Sequence, residues 1–149
     1  MKLNGNFIFN QLNGDFIFNP MIEIILSSHK REYGLRELLS ENENDFWCSD
    51  AFLPHKITIK FNKKVFVYSL DLELSYIKDE SYTPETVRWF FNSKEDETQL
   101  FEPEGWTSFY IGEYVSRIDF IILTNHTDGK DSHVHNLRLM KSPTEIMHF

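Results

Sequence analysis

The chain has 149 residues, 15 of them basic and 23 acidic for a formal charge of -8, and a single cysteine. That acidic excess repels the phosphates a nucleic-acid groove must neutralise, no apolar run approaches the roughly 20 residues of a membrane span, and one cysteine closes no internal disulfide. Nucleic acid and membrane are therefore not expected partners, and the composition points to one soluble intracellular domain whose core comes from 14 Phe, 6 Tyr and 3 Trp.

The first twenty residues contain a near-duplication, Leu3 to Asn10 and Leu12 to Asn19, each with a Phe-Ile-Phe triplet. Two copies are too few for a stacked repeat fold. Asn13-Gly14 could turn a hairpin, but residues 1–20 are expected to be a loosely held leader ahead of a domain spanning 21–149.

Leu35, Leu38 and Leu39 have helical spacing, which Asn42 to Asp45 ends, and this is the one helix expected. Trp47, beside Phe46 and three turn-forming residues, is expected to pack beneath a loop. Ile57, Ile59 and Phe61 alternate with Thr58 and Lys60. Phe66, Tyr68, Leu70, Leu72 and Leu74 then alternate with Ser69, Asp71, Glu73 and Ser75. Each set reads as a strand with one buried face.

Val87, Trp89 and Phe91 make another alternating run, followed by an acidic stretch, Lys94 to Glu104, expected to be a solvated connection. Ile118, Phe120 and Ile122, and then Leu137 and Leu139, supply the last strands. Many short strands punctuated by Gly, Pro, Asn and Asp indicate an all-β antiparallel sandwich or jelly roll.

Two polar loops stand out, Asp79-Glu80-Ser81-Tyr82-Thr83-Pro84 and the segment from Asn125 to His133. Asp128-Gly129 is a turn signal by itself, yet the loop also carries Asn125, His126, Lys130, Asp131 and His133, more hydrogen-bonding groups than a turn requires. Tyr82 offers a large contact surface at small entropic loss, although Thr83-Pro84 would open a strand equally well. Asp79 and Glu80 are expected to face water.

His126, His133 and His135 beside Asp128 and Asp131 are residue types that hold zinc, and His133 and His135 would share one face of a strand. The spacing matches no zinc signature, so loop hydrogen bonding or imidazole packing is the preferred reading, and neither metal nor other cofactor is expected. No phosphate loop or nucleophile elbow is present, and Cys48 has no sequence cue for a nearby base, which argues against an enzyme.

From Leu35 to Pro143 the sequence resembles the DOC domain family, and within it the DOC subunit of the anaphase-promoting complex. The resemblance is carried, in order, by Leu35-Arg36-Glu37-Leu38-Leu39 with Phe46-Trp47-Cys48-Ser49-Asp50, by Pro54-His55-Lys56-Ile57, by Asp79 to Pro84, by Glu102-Pro103-Glu104-Gly105-Trp106, and by Asn125-His126 through Gly129-Lys130-Asp131-Ser132-His133 to Ser142-Pro143.

It implies a jelly-roll sandwich similar to galactose-binding domains, working in nucleus and cytoplasm as a non-catalytic recognition subunit of a cell-cycle ubiquitin ligase. The implied partners are the complex's scaffold subunits, a β-propeller coactivator and substrates carrying destruction-box degrons. Degron binding would fall to Ser81, Tyr82, Asn125, His126, Asp128, Lys130, Asp131 and His133. Alanine at Asn125 and His126 is expected to shorten substrate dwell and leave the fold intact.

Members of that complex typically end in an Ile-Arg tail that docks on a helical-repeat scaffold, whereas this sequence ends Ile146-Met147-His148-Phe149. Docking through the globular body, or on a scaffold adapted to a terminal Phe, is the expectation. The alternatives are a carbohydrate-binding module on the same sandwich and a DOC-type accessory module of another ubiquitin ligase.

Overall fold

The computed structural model describes residues 7–9, 16–18 and 22–148. In chain order the strands and helices are β1 (Phe7–Phe9), β2 (Phe16–Phe18), β3 (Ile22–Leu26), α1 (Leu35–Leu38), β4 (Trp47–Cys48), β5 (His55–Ser75), α2 (Tyr76–Asp79), β6 (Pro84–Phe91), β7 (Lys94–Gln99), β8 (Glu104–Asn125), β9 (His133–Val134) and β10 (Asn136–Met140). Two 3-10 turns, Glu80–Tyr82 and His126–Asp128, follow α2 and β8. All named strand pairs are antiparallel.

β5 and β8 run 21 and 22 residues and pair along nearly their whole length, from His55 opposite Ile122 to Ser75 opposite Glu104. Register shifts between Lys60 and Val65 and between Val67 and Ser69 break this ribbon near its middle. Such irregularities bend strands and increase their twist. The first half of β5 lies between β3 and the end of β8, a layer that β6 and β7 extend. Its second half lies between β10 and the start of β8.

The two layers pack face to face. Phe109, from the start of β8, meets Phe120 from the end of the same strand at 4.6 Å between ring centroids and Trp89 of β6 at 5.2 Å. Trp89 Nε1 donates to the backbone carbonyl of Tyr110 at 2.8 Å, so a buried indole is satisfied across the sandwich. Ile57, Ile59, Leu70, Leu72, Ile118, Ile122, Leu137 and Leu139 fill the space around these rings. Trp47 is fully buried with its Nε1 on the Ser28 carbonyl at 2.8 Å, as its sequence context predicts.

Several sequence expectations are altered. The runs read as separate strands within 57–75 belong to one bent strand. The shift after Val67 inverts the alternation, so Val67 is buried whereas Phe66 is exposed and Tyr68 only half-buried. Asp71, assigned to the polar face, is also buried, because Arg138 Nε of β10 reaches it at 2.9 Å and lies under the Trp106 ring at 4.1 Å.

The acidic segment Lys94–Gln99 is the edge strand β7, paired with β6 from Thr86 to Phe91; its exposed charges discourage further strand addition. A second one-turn helix, α2, stands where only a loop is expected. It forms because Ser75 Oγ accepts from Lys78 N at 3.2 Å and the Glu104 carboxylate accepts from Ile77 N at 2.5 Å, which caps its first turn.

β1 and β2 pair with each other, Phe7 opposite Phe18, and β2 pairs with β3. The Asn13-Gly14 turn and the other residues between these strands lie outside the described residues.

Phe109 links both layers, so Phe109→Ala should lower unfolding stability by about 3–5 kcal/mol in urea titration. Tyr110→Ala, whose ring points outward from the adjacent position, should lose less than about 1 kcal/mol.

Candidate functional site

Because β5 and β8 bend at their middles, both ends of each meet at one pole of the sandwich. The segments that leave those ends tie together there. His55, first in β5, places Nε2 2.6 Å from the Lys130 carbonyl. His126, just after β8, sits against the segment that precedes β8: Glu102 N donates to its Nε2 at 3.4 Å, and its Nδ1 lies 3.0 Å from the Thr83 carbonyl. A carbonyl only accepts, so Nδ1 carries the proton and the bare Nε2 accepts the Glu102 N–H.

The two polar loops are therefore neighbours. Gly129 packs so tightly on the other loop that a Cβ there would stand 1.7 Å from the Ser81 carbonyl oxygen. Tyr82 stacks on His133, with centroids 4.2 Å apart and planes inclined by 15°. Phe46 also lies against His133, at 4.5 Å, and meets His135 at 5.4 Å.

Beneath this aromatic layer Asp79 is clasped by two imidazoles, His133 Nδ1 to Oδ1 at 3.0 Å and His135 Nε2 to Oδ2 at 2.7 Å. Burial, the largest influence on Asp79, pushes its carboxyl up. The hydrogen bonds from His133 and then His135, with the attraction of those rings, outweigh it and hold the group below the usual aspartate range.

The eight sequence-predicted residues thus share one pole but divide by exposure. Asn125, 2% exposed, directs its amide to the carbonyls of Gly129 and Asp131 at 3.1 and 3.0 Å and accepts from Ser132 Oγ at 2.7 Å. His126 is 8% exposed. Both brace the loops from within, so the expectation that alanine at these positions leaves the fold intact is revised: Asn125→Ala leaves buried partners unpaired, at about 1–3 kcal/mol. Asp131 is half-buried, held by Ser49 Oγ at 3.1 Å and Lys30 Nζ at 3.8 Å. Tyr82, Asp128 and Lys130 are exposed, and Ser81 and His133 are half-buried.

Asp79 does not face water as the sequence reading has it; it is 8% exposed. Its role was legible only in the same-face pair His133 and His135, which need an acceptor between them. Phe46 and Ser49 were also missed as loop supports. So were three exposed apolar side chains, Phe52, Ile77 and Phe101, on the segments that surround the loops.

Among the described residues no three His, Cys, Asp or Glu side chains converge as a metal site, and no helix is long and apolar enough to cross a membrane. Cys48 is buried, and that burial, more than any neighbouring charge, raises its thiol to about 11, so it stays protonated near neutral pH.

A sequence model of the family "Anaphase-promoting complex, subunit 10 (APC10)" matches residues 20–148. The chain belongs to this family. Subunit 10 of Schizosaccharomyces pombe is 37% identical to it, over 76% of this chain and 67% of that protein. Subunit 10 of Homo sapiens is 31% identical, over 76% and 68%. Among solved structures, a family 32 carbohydrate-binding module from C. perfringens NanJ, in complex with galactose, superposes with a TM-score of 0.66 at 12% identity, over 79% of this chain and 92% of that one. That likeness is one of fold: this chain and that module share the jelly-roll sandwich.

Because the folded-state carboxyl of Asp79 lies below its unfolded value, its stabilising contribution is complete above the unfolded value and lost as pH falls through the folded one. Asp79→Asn should cost about 2 kcal/mol at pH 7. In urea titrations across pH, the gap from the parent chain should close below about pH 4.

Proposed function

We propose that this chain is the substrate-recognising, non-catalytic subunit of an anaphase-promoting complex, a cell-cycle ubiquitin ligase of nucleus and cytoplasm. It holds destruction-box degrons at the pole formed by the Ser81–Tyr82 and Asn125–His133 loops. A β-propeller coactivator closes the other side of the extended peptide, and scaffold subunits carry the domain.

Family membership across residues 20–148 is the observation that carries the role. The geometry supports the placement of the site. Tyr82, Asp128 and Lys130 form an exposed polar and aromatic rim, and Ser81, Asp131 and His133 line its base. Phe52, Ile77 and Phe101 add apolar contact around it. A rim braced by Asn125, His126 and the Asp79 clasp is already ordered before binding, so little entropy is lost on capture.

The mechanism is shared grip. Each partner holds the peptide weakly, but once one holds it the other meets it at high effective concentration. Slower release allows more ubiquitin transfers in each encounter. The contribution to catalysis is residence time, with no proton or bond handled by this chain.

Tyr82→Ala should release a fluorescent degron substrate about three- to tenfold faster from the reconstituted complex, equivalent to about 0.7–1.4 kcal/mol. Ubiquitin chains per encounter should fall in parallel, with little change in thermal midpoint. Unaltered dwell and processivity in a folded Tyr82→Ala chain would contradict the reading. Galactose titration should leave the parent chain's thermal midpoint unmoved.

A further inference from the structure

The bend that brings the strand ends to one pole creates a different surface at the other. Phe66 faces Tyr114 across the ladder and meets it edge-on at 5.5 Å; Tyr68 and Tyr110 meet in the same way at 5.3 Å. Three of these rings are well exposed: Phe66 at 39%, Tyr110 at 58% and Tyr114 at 65%. Gly112, at φ +65°, allows the Tyr110 ring to lie across the bulge, since a Cβ there would stand 2.1 Å from the tyrosine hydroxyl. Gly112 thus leaves room for the Tyr110 ring over the bend.

Lys63 and Lys64 are exposed at the tip of the same bend and have no ion-pair partner among the described residues. Nearby Glu113 is already paired with Lys94, so it does not offset them. The chain as a whole carries -8. Two cations without an ion-pair partner among the described residues, beside clustered aromatics, therefore form a local reversal of charge, matched by an apolar partner surface fringed with carboxylates.

We propose that this aromatic and lysine patch, at the pole opposite the degron loops, is the anchor by which the domain docks on an acidic-fringed apolar face of a scaffold subunit of its complex. The inference rests on the functional reading above. Its logic is geometric: a subunit that presents one pole to substrate and coactivator is best held by the other. Tyr side chains suit such a contact because they are large, stiff and amphipathic.

The test uses purified anaphase-promoting complex from the same cells, stripped of its own subunit 10, and measures binding of the full chain by interferometry. Tyr110→Ser with Tyr114→Ser should weaken binding at least tenfold. Lys63→Glu with Lys64→Glu, which leaves the rings in place, should weaken it several-fold and flatten its dependence on salt. Tyr82→Ala, at the other pole, should bind the complex as the parent chain does.

Circular dichroism and thermal midpoints establish that each variant is folded, and the lysine pair keeps the test valid should the tyrosine pair unfold. Folded variants of both pairs that bind as the parent does would overturn the anchor and leave the degron site standing. Failure of the parent chain to bind the complex would overturn both readings. Loss of a chain dimer in place of loss of complex binding, read by light scattering, would assign the patch to self-association and overturn the anchor.

Discussion

Everything in this molecule depends on the paired, bent ribbon of β5 and β8. Two strands of 21 and 22 residues cannot stay flat inside a domain of this size. Register shifts near their middles fold the ribbon into two facing layers, and the contact of Phe109 with Phe120 and Trp89 closes it. One strand thereby contributes to both sides of the core. Its two ends must emerge at the same pole, which is why segments far apart in sequence become the two faces of one rim.

At that rim, order is built from below. The buried Asp79 accepts from two imidazoles, Phe46 and Tyr82 both pack on His133, and Asn125 ties the carbonyls of its own loop. Inward-facing polar groups are almost all occupied by the protein itself, whereas Tyr82, Asp128 and Lys130 stay free to meet a ligand. This division suits a surface that recognises and holds an extended peptide, since preorganised loops bind without first having to order themselves.

Much of this was legible in the sequence, for definite physical reasons. Alternation of Ile57, Ile59 and Phe61, or of Ile118, Phe120 and Ile122, reports a half-buried strand directly. The density of polar side chains from Asn125 to His133 marked the loop that packs on the Ser81–Tyr82 turn. Phase was harder: Phe66 and Tyr68 continue the alternation of Leu70 and Leu72 in sequence, and only the bulge after Val67 turns them outward. Charge misled at Lys94–Gln99, where edge pairing of the backbone is indifferent to the exposed acids, and at Asp71 and Asp79, whose partners Arg138, His133 and His135 lie more than fifty positions away.

The central claim is that an extended degron lies against the braced rim while the complex is assembled. Site-specific photocrosslinking reads this most directly: a destruction-box peptide carrying a photoreactive residue is captured on the reconstituted complex with its coactivator, and the adducts are mapped by mass spectrometry. The account predicts adducts on Ser81, Tyr82 and the Asp128 to His133 segment, lost on competition with unlabelled degron. Adducts confined to the coactivator, or falling on the β5–β8 bend around Tyr110 and Tyr114, would contradict it.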